Sequence, residues 1–353
     1  MLIGKTSGVR RTVCAAAAVG LTLSTIVGAG VSAGASATMR GVQTRGVQTR
    51  GVQTRDVQTR GVQTRGVQTR GVQTSDAGRT STVKKAPTPT WWVPPLGSQP
   101  WQWELSNPLN LNNAKEMGTD DKLPDGAPAP DPVIYDIDAI INPASTVAAL
   151  HTMGKHVVCY IEVGAAGNYY TAASEGIATS YYDQFEAAGV LGAKVGGWPE
   201  RYLNIEAPAT LAIVESMIDQ QCAAKGFDAV ETDIDEEYAS SNGFGLTEAD
   251  EIQYMTTLAN YMHGLGLGWW IKNPDDTGDN YATVMEPLAD AVLTEQCNQY
   301  KTCGLLSAYV GKKAVFNAEY HVKPAKFCPN DDTLGFNGAE FNVNLTGVRK
   351  PCR

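Results

Sequence analysis

Five carboxylates fall within seven residues at Glu231, Asp233, Asp235, Glu236 and Glu237, directly after the short, mostly apolar run Phe227–Val230. Glu231 and Asp233 are two residues apart, so on an extended strand their side chains share a face. Like charges this close repel and do not stabilise a strand. Two readings follow: a solvated acidic loop, or an active-site carboxylate cluster at the C-terminal end of a barrel strand.

Paired carboxyls suit glycosidic cleavage. A protonated one helps the leaving oxygen depart, and an ionised one attacks the anomeric carbon or activates water. Other strand-like runs also end in polar residues: Asp138, Glu162, Asn273, Glu295 and Glu319. Together with Asp233 they would ring the C-terminal mouth of one barrel, although helix starts are also often polar. Trp and Tyr rings near such a mouth would stack on sugar faces. Phosphoryl transfer lacks its glycine-rich loop, and a serine triad lacks a Gly-x-Ser-x-Gly elbow. His151, His156, His263 and His321 show no ligand spacing, so neither a metal nor a cofactor is expected.

The elements that must position these residues alternate as strand and helix, the pattern of parallel βα units. Strands are expected at 101–105, 133–138, 156–163, 227–233, 268–273, 291–296 and 314–320, with a weak eighth at 333–336. A short strand-like run stands at 202–205. Helices are expected at 145–153 with Ser145 as cap, from Pro208 to about 225, and at 247–264 with Thr247 and Asp250 as a capping box. Residues 167–200, rich in Tyr, Gly and Ala, read as an excursion over one end of the barrel. The fold class is α/β, a (β/α)8 TIM barrel over 91–353.

The preceding residues do not read as globular. Residues 1–37 carry Lys5, Arg10 and Arg11, an apolar run and an Ala35-Ser36-Ala37 exit, which predicts a signal peptide; an uncleaved membrane anchor is the alternative. Seven pentapeptides of the Gly41-Val42-Gln43-Thr44-Arg45 type follow, in a region (38–90) read as a disordered basic linker. Residues 1–84 carry a net charge of +10 and residues 85–353 a net −19. The acidic domain disfavours nucleic acid as a partner and attracts cationic substrates. Beyond Cys14, six cysteines in an exported chain predict disulfides, with Cys297–Cys303, Cys328–Cys352 and Cys159–Cys222 as the expected pairs.

Taken in order, the motifs resemble the endo-α-1,4-polygalactosaminidases of glycoside hydrolase family 114. The resemblance is carried by Trp101-Gln102-Trp103, Tyr135-Asp136-Ile137-Asp138 and Cys159-Tyr160-Ile161-Glu162-Val163-Gly164. It continues through Gly197-Trp198-Pro199-Glu200-Arg201, Lys225 to Asp233, Ile271-Lys272-Asn273, Glu295-Gln296-Cys297 and Glu319-Tyr320. It implies endo cleavage of α-1,4-linked galactosamine-containing polymers with retention, Asp233 as nucleophile and Glu295 as general acid/base. Ile234 and Glu236 stand where the family usually carries Asn and Asp, so at least one substrate contact differs.

Lys272 is expected to hold Asp233 ionised. Asp136, Asp138, Tyr160, Glu162, Glu231, Asn273, Glu319 and Tyr320 complete the candidate substrate-binding set, with strand-end capping left open for Asp136 and Asp138. Trp103 reads as barrel core. The expected protein is a secreted or cell-wall-associated monomer acting on a polysaccharide, with no stable membrane insertion after cleavage. Another α-glycosidase on the same barrel, or a non-catalytic carbohydrate-binding surface protein, are the rival readings.

Overall fold

The computed structural model describes residues 89–277 and 280–353. The expected leader and nearly all of the repeat linker lie outside the described residues. Eight parallel strands form the barrel sheet: β1 (Trp101–Glu104), β2 (Ile134–Asp138), β3 (His156–Glu162), β7 (Ala229–Asp233), β8 (Gly268–Lys272), β9 (Ala291–Glu295), β10 (Ala314–Glu319) and β11 (Asn337–Phe341). A ninth, β12 (Arg349–Pro351), is antiparallel to β11. Between β3 and β7, the excursion contributes β4 (Ala165–Gly167), β5 (Leu191–Lys194) and β6 (Glu200–Leu203), which form a separate antiparallel sheet.

Strand parity builds the layers. Trp101, Trp103, Ile134, Val158, Tyr160, Ala229, Trp270, Leu293, Phe316 and Phe341 fill the barrel interior, while alternate residues such as Tyr135, Cys159, Val230, Trp269 and Val292 pack under the helices. Trp270 stacks on Phe316 with centroids 4.4 Å apart. Each such ring buries roughly 150–250 Å², worth roughly 4–6 kcal/mol of transfer free energy at ~25 cal/mol per Å². The lower barrel is therefore a dry aromatic plug.

At the N-terminal ends of the strands, the segment after Thr90 crosses the floor. Trp91 stacks on His263 at 3.9 Å and Trp92 on His156 at 4.1 Å. Asp290 accepts from His263 (2.8 Å) and from the Trp269 amide (2.9 Å). The Trp92 carbonyl lies so close to Gly268 that a Cβ there would meet it at 2.6 Å, so only glycine fits.

The seam between β11 and β1 is closed by the C-terminal tail. Leu105 donates its amide to the Leu345 carbonyl (3.0 Å), Gln102 Nε2 to the Gly347 carbonyl (2.8 Å), and the buried Arg349 guanidinium to the Trp101 carbonyl and to Asp121 (2.6 Å). Cys328–Cys352 ties this tail to the helix Pro324–Leu334. Cys159–Cys222 and Cys297–Cys303 complete the expected pairs.

Several expectations about the elements need correction. The eighth strand is Asn337–Phe341; Thr333 and Leu334 end a helix that Gly335 terminates at φ 76°. Ser145 is not a cap: Pro143 occupies that position, with no side-chain bond. Of the strand-like run at 202–205, Tyr202 and Leu203 lie in β6 of the excursion, while Asn204 and Ile205 follow the strand. The helix from Pro208 gives way at Ile218–Ala223 to a π-helical turn. The capping box at Thr247 and Asp250 is present.

Candidate active site

Three successive strands, β7, β8 and β9, end in Asp233, Lys272 and Glu295, and parity turns all three inward. Each is followed by a residue in the left-handed region: Ile234 (φ 55°), Asn273 (φ 44°) and Gln296 (φ 59°). Asparagine tolerates that conformation, but a β-branched residue such as Ile234 pays about 1–2 kcal/mol for it. The local cost is offset by packing. Gly164, at the exit of β3, lets the Ile234 carbonyl and the Glu237 carboxyl approach where any Cβ would collide with both. Ile234 itself sits against Ala165, Val195, Trp198 and Tyr202 of the excursion.

The Lys272 ammonium is the centre of the site. It lies 3.0 Å from Asp233 Oδ1, 3.2 Å from Glu231 Oε1 and 3.1 Å from Glu295 Oε2. Beneath it, the Trp103 ring centroid is 5.1 Å away. Burial alone would discharge a lysine, yet the three carboxylates outweigh it and push its pKa well above the usual value.

Asp233 and Glu295 have different surroundings. Burial raises the carboxyl of Asp233, but the Lys272 charge, the Tyr160 hydroxyl (2.6 Å to Oδ2) and the Ile234 amide (3.1 Å) together hold it below its ordinary value. Glu295 is raised, first by burial and further by the Asp233 charge, against the pull of Lys272, Tyr320 and Asn273. Tyr320 donates to its Oε1 and Asn273 Nδ2 to its Oε2 (3.1 Å), while Asn273 Oδ1 accepts the Glu295 amide (2.8 Å). Asp233 is 6% exposed and Glu295 5%, so each just reaches the cleft. Because one ammonium touches both, Asp233 Oδ1 and Glu295 Oε2 are no farther apart than those contacts of 3.0 and 3.1 Å laid end to end. That bound on the two facing oxygens accommodates the roughly 5–5.5 Å between the carboxyls of retaining glycosidases.

Around these lies a rim from the excursion that the sequence did not single out by residue. Tyr169 donates its hydroxyl to Glu162 and, at 3.3 Å, to Glu200; Tyr170 donates to Asp138. Asp138 also accepts the amides of Ile140 (2.9 Å) and Ile141 (3.0 Å), so it caps the turn as well as facing the rim. Half-buried Glu236 lies near Asp233 and exposed Asp276 near Glu295, and burial together with the neighbouring acids raises both carboxyls, Glu236 well above its ordinary value and Asp276 to about 7.

Not every candidate reaches the mouth. Glu319 points outward: its Oε1 accepts the Asn298 amide (2.8 Å) in the helix layer, while its neighbour Tyr320 faces in. Asp136 and Glu231 face inward but are fully buried beneath Lys272, closed off from the cleft. Among the described residues, Cys297, Cys303 and Asp331 form a grouping with metal-like spacing, but both sulfurs are engaged in a disulfide.

The barrel, its acid-lined mouth and the linked Asp233–Lys272–Glu295 row fit what comparison with known proteins returns. The model of glycoside-hydrolase family GH114 matches residues 80–353. The chain belongs to that family. It is accordingly a glycoside hydrolase. Ega3 of Aspergillus fumigatus, whose structure was solved in complex with galactosamine, is similar at 28% identity and a TM-score of 0.61, over 74% of this chain and 97% of Ega3. The glycoside hydrolase domain of PelA from Pseudomonas aeruginosa aligns at 14% identity and a TM-score of 0.49, over 71% of this GH114 chain and 97% of that one. No curated protein matches the sequence.

Proposed function

We propose that this GH114 protein is a secreted endo-glycosidase that cleaves α-1,4-linked galactosamine-containing polysaccharide with retention of configuration. The observation that carries the reading is the single ammonium shared by Asp233 and Glu295, with the first carboxyl kept low and the second raised. Two carboxyls pushed apart in this way divide into nucleophile and acid.

Glu295 gives its proton to the glycosidic oxygen as Asp233 Oδ2 or Oδ1 attacks the anomeric carbon, so the linkage breaks and a glycosyl ester forms. The Glu295 carboxylate then takes a proton from water, whose oxygen attacks the same carbon and releases Asp233. The contact of one ammonium with both carboxyls accommodates the close spacing that this two-step course needs. Tyr160 and Lys272 hold the leaving Asp233 carboxylate, and Tyr320 and Asn273 orient Glu295.

The substrate assignment rests on charge and on likeness to Ega3. Glu162 and Glu200, brought together at Tyr169 in the rim, offer acceptors to protonated amines in a domain of net negative charge, and Ega3 was solved with galactosamine bound. Export is supported by the leader-like residues 1–37 and by three disulfides. No helix among the described residues is long and apolar enough to cross a membrane. The test is incubation with partly deacetylated galactosaminogalactan, neutral α-glucans and α-galactans, with product sizing and anomer analysis by NMR. Shortened α-anomeric oligomers from the first polymer alone are expected. Cleavage only of neutral polymers, or β-anomeric products, would overturn the assignment.

A further inference from the structure

Asp136 on β2 and Glu231 on β7 are a titratable pair that the mechanism above does not use. Both are fully buried, both face the barrel interior, and they lie within hydrogen-bonding reach of each other. Among the described residues, no hydrogen-bond donor is matched to any of their four oxygens beyond the 3.2 Å ionic contact of Glu231 with Lys272. Two ionised carboxylates cannot face each other in a dry interior, and one must donate to the other. Glu231 is the one against the ammonium, so the proton belongs on Asp136.

We propose that Asp136 and Glu231 are positioning residues that hold a single shared proton, presenting one negative charge to the underside of Lys272 and thereby fixing the ammonium between Asp233 and Glu295. The charged groups facing the pair are Lys272 on β8, Asp233 on β7 and Glu295 on β9; from β1, the neutral Trp103 ring lies under the same ammonium. With one charge below and Asp233 above, two carboxylates already face the Lys272 ammonium, so its charge does not call for Glu295 to ionise and Glu295 can keep the proton it must deliver. A doubly ionised pair would draw the ammonium down and away from Asp233. A neutral pair would leave the field of the ammonium on Glu295 unopposed and so favour loss of the proton that Glu295 must deliver. Consistent with a proton held between them, burial and the Glu231 charge push Asp136 well above the carboxylate range, while Glu231 is raised to about 7, first by burial.

The arrangement makes the two carboxyls unequal, and substitution separates them. In Asp136→Asn an amide replaces the protonated acid, with donor and net charge kept. Glu231→Gln removes the anion nearest Lys272, and the double variant removes all charge from the pair. On galactosaminogalactan oligomers, and resting on the functional reading above, Asp136→Asn should leave the limb of the pH profile governed by Glu295 in place. Glu231→Gln should bring the limb governed by Glu295 down by about one unit, and the double variant by about one to two. Equal damage from the two single variants, or an unmoved limb in the double variant, would overturn the proposal. A second readout needs no substrate. Infrared spectra with carboxyl-labelled aspartate should show a protonated aspartic acid carbonyl band that persists at about pH 8 in the parent, beyond where free aspartate is ionised, and that is missing from Asp136→Asn. Its absence from the parent would refute the shared proton. If the parent proves inactive on the polymer, the functional reading fails while the band still decides the pair.

Discussion

Replacing Lys272 with methionine keeps much of the side chain's bulk over Trp103 and removes the charge that three carboxylates share. An opposite charge within about 4–6 Å lowers a carboxyl by about 1–3 pKa units, and the ammonium lies 3.0 Å from Asp233 and 3.1 Å from Glu295. In the variant, Asp233 keeps the Tyr160 hydroxyl and the Ile234 amide, and Glu295 keeps Tyr320 and Asn273, but neither keeps a cation. Both limbs of the pH profile of kcat/KM should therefore move up by about 1–3 units, and activity at pH values on the parent's acid limb should fall by about 10- to 1000-fold. Removing one partner from a buried ionic set also costs about 3–5 kcal/mol, or roughly 6–20 °C in Tm for a domain of this size. That loss should shrink as pH falls, because the orphaned acids then take up protons. The assay is a pH series of kcat/KM on galactosaminogalactan beside thermal melts of the same samples. A folded variant whose acid limb stays where the parent's lies would refute the claim that Lys272 keeps Asp233 ionised.

Four further outcomes are expected. Asp233→Asn and Glu295→Gln should each abolish turnover while melting close to the parent, and near-normal hydrolysis by either would remove its assigned role. Tyr160→Phe deletes a hydrogen bond to a charged group, worth about 1.5–3 kcal/mol, so the acid limb should rise by about 1–2 units; a profile superimposable on the parent's would count against Tyr160. Glu319→Gln should leave kcat/KM within about twofold, because the side chain is directed at Asn298, and a large fall in kcat with unchanged Tm would place it in the site after all. Burial pushes Glu237 up to about 8 and Glu104 and Asp235 to about 7, from ordinary values of 4.5 for Glu and 3.8 for Asp. The folded state thus binds more protons than the unfolded chain across that interval, and stability should fall as pH rises from about 5 to 8. A melting temperature that climbs over the same range would contradict it.

Much of this architecture could be read from strand periodicity. Asp136 and Asp138, or Glu231 and Asp233, are separated by two residues, and each pair does turn to one face. The same rule shows why Glu319 and Tyr320 cannot both face the cleft: they are adjacent on one strand, and the interior took the tyrosine. Asn273 escapes the rule because it lies past the end of β8, where a left-handed backbone swings its amide to Glu295. The eighth strand was hidden because Asn337-Gly338-Ala339-Glu340-Phe341 contains few of the β-branched residues that mark strands, and its neighbours above and below supply the order instead. Tyr169 and Tyr170 were invisible as site residues for a different reason. Their place over Glu162 and Asp138 is set by how the excursion folds back, and no local pattern encodes that. Depth was the other gap. Alternation says that Asp136 faces inward, but not that a lysine lies across its path to solvent.

The tail that completes the ring joins residues separated by more of the chain than any other pairing among the described residues of the barrel, since Trp101 and Arg349 meet across it. Contacts of such long range are the slowest to form, so closure is expected to come last in folding. A chain halted before Leu345 would already carry Asp233, Lys272 and Glu295 on neighbouring strands, yet would expose β1 as an open edge able to pair with other copies. Truncation at that end should thus reveal itself first as aggregation during refolding, before any defect in sugar recognition can be measured.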